Sequence, residues 1–76
     1  MNKYFAKKLT RRQEQVTPLL EAGLSNRQIA ERLNITERAV TYHISSIRKR
    51  LGVASRSQLI ALLVLKRSGQ NHGDRD

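Results

Sequence analysis

The sequence predicts an all-α domain built from four short helices. Apolar residues recur at helical spacing in four successive segments. Each segment opens on Ser or Thr, and three of the four carry Gln three residues later, the form of a capping box. The connections between them are short, and no run alternates apolar and polar residues over the length of a strand. With 76 residues the chain holds one small domain. A domain of that size buries only about 60% of its unfolded surface, which leaves room for dimerisation to share the stabilisation. No cysteine is present to form a disulfide, and His43 and His72 are too few and too far apart for a metal site.

Residues 1–8 are basic, lack apolar periodicity, and read as a flexible arm, although Tyr4 and Phe5 have the character to fold back onto the domain. Thr10-Arg11-Arg12-Gln13 opens the first helix, with Leu9 placed as a hydrophobic staple and Val16, Leu19 and Leu20 as its inward stripe. Pro18 removes the bond to the Glu14 carbonyl, so the sequence predicts a kink, or a helix that restarts with Thr17 as cap. Gly23 fits the stop. Ser25-Asn26-Arg27-Gln28 opens the second helix, whose Ile29, Ala30 and Leu33 face inward. Asn34 suits the left-handed turn that closes it, with Ile35 tucked behind. Thr36 caps the third helix, and Val40, Ile44, Ile47 and Leu51 form one apolar stripe before Gly52. Ser55-Arg56-Ser57-Gln58 opens the fourth, predicted to end near Arg67. Residues 68–76 read as a disordered polar tail. The domain is therefore placed over residues 9–67.

Charge narrows the partner. Fifteen Lys and Arg against six Asp and Glu leave a net charge of +9 and a pI near 11.2. From Arg38 to Arg67 there are seven basic residues and no acid. Such a balance concentrates anionic partners but does not by itself separate DNA from RNA or lipid. No apolar run is long enough to span a bilayer and no signal peptide is visible, so a soluble cytoplasmic protein with no membrane role is expected.

The second and third segments are joined by Asn34-Ile35-Thr36 alone, the length of a helix-turn-helix connection. With the apolar stripe of the third helix fixed inward, the positions furthest from it are Arg38, Tyr42, Ser45 and Lys49, flanked by Thr41 and Arg48. Small polar groups lie in the middle and cations at the ends. A helix of this kind can enter the major groove of double-stranded DNA while its ends hold phosphates.

The stretches L-T-R-R-Q-E-Q-V and G-L-S-N-R-Q-I-A-E-R-L-N-I-T-E-R-A-V-T-Y-H-I-S-S-I-R-K-R-L-G-V-A-S-R-S-Q-L resemble the LuxR-type (GerE-like) DNA-binding domain from Leu9 to about Leu63. The resemblance implies a four-helix helix-turn-helix unit of a bacterial transcription regulator that binds DNA as a homodimer through its fourth helix. It implies base reading by Thr41, Tyr42 and Ser45. It implies phosphate contacts from Ser25, Asn26, Thr36, Lys49 and Arg50, which Arg38 and Arg48 join as the basic ends of the helix. His43 matches the family's histidine, with a backbone or phosphate contact and a packing role both open. Gln13 and Gln15 stand where the family usually has glutamates, Thr17 and Pro18 where apolar or helix-favouring residues are common, and Ala39 where Thr is usual.

The fourth segment is apolar all round from Leu59 to Leu65. If Leu59, Ile60 and Leu63 face the core, Leu62 and Leu65 are left in water, which marks an interface. Ala61, Leu62 and Leu65 are the expected dimer contacts, and a missing domain packed there is the alternative. A small interaction module docking on another regulator through the same helix is the second functional reading. An architectural or RNA-binding role ranks third, because few aromatic rings are available to stack bases. An enzyme is not expected: there is no Cys, no Gly-rich phosphate loop, and no paired carboxylate set or Ser–His–Asp arrangement that four short helices could organise. No catalytic residue, cofactor or small-molecule site is indicated. Relatives of this type mostly carry a signal-receiving domain. Met1 followed by a short arm favours a stand-alone regulator over an excised fragment.

Overall fold

The computed structural model describes residues 9–75, with side chains through Arg67. The arm expected over residues 1–8 lies outside the described residues. Among the described residues there are four helices and no strand: α1 Arg11–Glu21, α2 Asn26–Leu33, α3 Glu37–Leu51 and α4 Arg56–Arg75.

Local chemistry sets the helix starts. At α1, Thr10 Oγ1 accepts from the Gln13 N–H at 3.1 Å, and Gln13 Oε1 accepts from the Thr10 N–H at 2.9 Å. Ser25 and Gln28 repeat the pair at α2, at 3.2 and 2.8 Å. At α3, Thr36 Oγ1 takes the Ala39 N–H at 3.0 Å. Each such cap contributes about 1 kcal/mol. The expected box at α4 forms differently. Ser55 Oγ accepts from the Gln58 N–H at 3.1 Å, but Gln58 Oε1 reaches past Ser55 to the Ala54 N–H at 2.9 Å. The buried Gln13 also shows what its departure from the family pattern does. A neutral amide closes the box as a carboxylate could, without the cost of burying a charge.

The helix ends use left-handed residues. Gly23 has φ 87°, Asn34 φ 59° and Gly52 φ 73°. In each case the following N–H closes the loop: Leu24 to the Leu19 carbonyl at 3.1 Å, Ile35 to Ala30 at 3.0 Å and Val53 to Arg48 at 3.0 Å. These are Schellman closures. The one at Asn34 makes the connection between α2 and α3 as tight as its sequence predicts.

Two expectations are corrected. Pro18 neither splits α1 nor makes Thr17 a cap, since the helix runs unbroken from Arg11 to Glu21. Thr17 is buried and its hydroxyl donates to the Glu14 carbonyl at 3.4 Å, the acceptor Pro18 cannot serve. The fourth helix runs on to Arg75 rather than ending near Arg67. Gly69 and Gly73 are not followed by proline, and a glycine inside a formed helix costs only about 1 kcal/mol, less than is needed to stop it.

The core is the predicted one. Val16, Leu20, Ile29, Val40, Ile47 and Leu59 are fully buried, and Ala30, Ile44, Leu51 and Leu63 join them. Leu9, Leu19, Leu33, Ile35 and Ile60 pack against this cluster. α3 lies at the centre, in contact with α1, α2 and α4. Each large aliphatic side chain buried there contributes about 1.5–3 kcal/mol, and this is what fixes the rotation of α3 about its axis. The ion pair Arg67–Glu21, at 3.2 Å, ties α4 to the end of α1.

Candidate nucleic-acid interface

With Val40, Ile44, Ile47 and Leu51 inside, the other side of α3 faces water. Arg38, Thr41 and Lys49 are exposed, as is Tyr42 at 68% of its surface. Ser45 is half-buried, less open than helical geometry alone predicts. His43 is half-buried, with its ring edge-on to Tyr42 at 5.6 Å between centroids. That contact braces the Tyr42 ring from one side, consistent with a packing role and silent on any phosphate.

Ser25 and Thr36 are exposed at the N-termini of α2 and α3. Each hydroxyl accepts one backbone N–H, so its own hydrogen remains to donate outward. Together with the positive end of a helix dipole, this arrangement suits an anion.

Asn26 and Arg48 are more committed than the sequence shows. Asn26 Oδ1 accepts from Arg56 Nη1, and its Nδ2 donates to Thr41 Oγ1 at 3.3 Å. Arg56 Nη2 donates to the Leu24 carbonyl at 2.9 Å. One half-buried arginine from α4 therefore holds the start of α2 against α3. Arg56 is the residue of this candidate site that reading by segment missed. Its only signal is its place in L-G-V-A-S-R, and its partners lie some 30 residues away in sequence. Arg48 Nη1 donates to the Ala54 carbonyl at 2.8 Å. Lys49 and Arg50 remain exposed at the end of α3.

Apart from Asp74 and Asp76, the acidic groups precede Arg38 in the sequence. Among the described residues, Glu14 and Glu21 lie on α1, Glu31 on α2 and Glu37 on the first turn of α3. Glu21 pairs with Arg67 and Glu31 with Arg27. The stretch from Arg38 to Arg67 itself carries cations and no carboxylate. No cluster of metal-ligating side chains occurs among the described residues.

A short helix is thus closed tightly onto a longer cationic helix with small hydroxyls at its centre. The pattern of the bacterial regulatory proteins of the luxR family matches residues 7–63. The chain belongs to the luxR family of bacterial regulatory proteins. This luxR-family domain is similar to the nitrate/nitrite response regulator protein NarP of Escherichia coli (strain K12). The two are 42% identical over 62 residues, 82% of this chain and 29% of NarP. It is also 42% identical to the transcriptional regulatory protein DegU of Brevibacillus brevis, over 68% of this chain and 22% of DegU. With the transcriptional regulatory protein LnrK of Bacillus subtilis (strain 168) the identity is 46%, over 66% of this chain and 23% of LnrK. The chain thus spans less than a third of these curated relatives. Its family is one of regulators, not enzymes.

The fourth helix carries a correction. Leu62, expected in water, is half-buried and packs on the core. Val64, not singled out by the sequence, is 44% exposed and Leu65 67% exposed. With the exposed Ala61 they form an i, i+3, i+4 apolar face on the outside of α4. The shift follows from the axis set by Leu59 and Leu63, which turns Leu62 toward the core edge and Val64 away. Among the described residues no helix is long and apolar enough to cross a membrane.

Proposed function

We propose that this chain is a sequence-specific binder of double-stranded DNA that regulates transcription, with α3 seated in the major groove. The observation that carries the reading is the division of α3: four aliphatic residues buried, and Arg38, Thr41, Tyr42 and Lys49 outside with no acid after Glu37. Thr41, Tyr42 and Ser45 read base edges. Ser25, Thr36, Arg38, Lys49 and Arg50 meet phosphates, and His43 and Arg48 lie close enough to α3's flanks to add to them. Asn26 belongs to this set through the Thr41 hydroxyl that it holds. Family membership supports the regulatory role, and the relatives named as transcriptional regulators support it further. Such a role places the protein in the cytoplasm with bacterial DNA.

The protein acts as a homodimer through Ala61, Val64 and Leu65, with Leu62 at the edge of the contact. Two α3 helices related by a twofold axis then meet successive major grooves about 34 Å apart. Titration of a labelled duplex at several salt concentrations tests the electrostatic part. Affinity should fall steeply, with a log–log slope of about −0.9 for each phosphate neutralised. A slope near zero contradicts the reading. The same exposed apolar face favours one other reading, a module that docks on a second regulator. That reading requires negligible DNA affinity at moderate salt.

A further inference from the structure

The Arg56–Asn26–Thr41 chain has a direction. A guanidinium can only donate, so the Asn26 atom facing Arg56 must be the carbonyl oxygen Oδ1. The carboxamide is thereby oriented, and Nδ2, which can only donate, faces Thr41 Oγ1 at 3.3 Å. Thr41 must then accept at that bond. Its hydroxyl hydrogen is left for the exposed side, and a hydroxyl that accepts from a chain headed by a cation is polarised into a stronger donor. Arg56 is fixed in turn by the Leu24 carbonyl at 2.9 Å, so the head of the chain cannot swing away without losing a second bond.

We propose that Asn26, oriented by Arg56, sets the hydrogen-bond polarity of Thr41, so that Thr41 meets DNA as a donor and selects an acceptor there. Adenine N7, guanine N7 and O6, thymine O4 and a phosphate oxygen can take that hydrogen; the amino groups of cytosine and adenine cannot, and would have only the second lone pair of the hydroxyl to meet. Asn26 and Arg56 are positioning residues, and neither needs to touch the duplex. The inference rests on the reading that α3 faces DNA.

Asn26→Asp tests it because a carboxylate only accepts. Asp still pairs with Arg56, but it draws the Thr41 hydrogen inward and turns only lone pairs toward the duplex. The substitution also sits in the first turn of α2, where an acid suits the helix dipole, so the fold is expected to survive, as a thermal melt checks. Binding is measured on a duplex recovered by selection from a random pool and on its scrambled counterpart. Thr41→Val should weaken binding about fivefold in the parent protein, the loss of one hydrogen bond, and less than about twofold in the Asn26→Asp background. A penalty on the recovered duplex alone identifies a base acceptor, and an equal penalty on both duplexes identifies a phosphate oxygen. An equal penalty in the two protein backgrounds overturns the proposal while leaving DNA binding intact. A protein that binds no duplex sinks the DNA reading instead. Even then the polarity is decided on the free protein by NMR: Thr41→Val should shift the Asn26 side-chain amide resonances, and unmoved resonances would refute the assigned bond.

Discussion

Arg48 Nη1 donates to the Ala54 carbonyl at 2.8 Å, so a side chain from the cation-rich helix fastens the turn that follows it. The N–H of the same Ala54 is taken by Gln58 Oε1 at 2.9 Å. The peptide between α3 and α4 is thus held on both sides, and the angle at which α4 leaves the domain depends on it.

Arg48→Ala and Lys49→Ala should therefore separate two roles of adjacent cations. Arg48→Ala is expected to lower stability by about 1 kcal/mol, a drop in Tm of roughly 4–8 °C for a domain of this size. Lys49→Ala should leave Tm unchanged and reduce the salt dependence of DNA binding by about one unit of slope. A thermal melt and a salt titration on both variants check this. Equal Tm values for the two would show that the turn does not need Arg48.

Leu65→Arg should turn a dimer into a monomer without unfolding the domain, since Leu65 is 67% exposed and contributes little to the core. Sedimentation of both proteins across a concentration series reads the result. Affinity for a site with two half-sites should fall much more than affinity for a single half-site. An unchanged dimer after Leu65→Arg would move the interface elsewhere.

Pro18→Ala should stabilise the protein by about 1–2 kcal/mol. Alanine restores the N–H that bonds to the Glu14 carbonyl and removes the ring from the helix interior, offset in part by a freer unfolded chain. Denaturant unfolding measures it. A loss of stability would mean that the Thr17 hydroxyl and the proline ring form a better-packed unit than a regular helical turn.

Ile47→Ala should cost about 2–5 kcal/mol, because Ile47 is fully buried at the centre of α3 and its removal leaves a cavity among three other helices. In so small a domain that loss approaches the whole stability. Circular dichroism should show a largely unfolded chain at 37 °C.

Much of this fold was legible because its signals are local. Thr10, Ser25 and Thr36 announce helix starts by side chains that bond three residues on, and Asn34 and Gly52 announce stops by backbone torsions few other residues accept. The α3 stripe was legible for the same reason, since a spacing rule needs no partner. What escaped depends on where one helix rests against another. The rotation of α4, set by the buried Leu59 and Leu63, decides that Leu62 packs inward and Val64 does not, and no periodicity shows it in a segment apolar on every side. The Arg56–Asn26–Thr41 chain joins residues 30 and 15 apart in sequence, so nothing near Arg56 marks it as a partner of α2 and α3. That α1 continues through Pro18 without a restart escaped because the rescue of the Glu14 carbonyl by Thr17 depends on the Thr17 rotamer, which residue order does not reveal.

The most direct test is selection of bound duplexes from a random pool, followed by titration of the recovered sequence against its scrambled form at about 0.15 M salt. The recovered sequences should share an inverted repeat with half-site centres about 10 base pairs apart, bound at least about a thousandfold more tightly than the scrambled duplex. A pool that shows no enrichment, or equal affinity for both duplexes, contradicts the claim that α3 reads sequence.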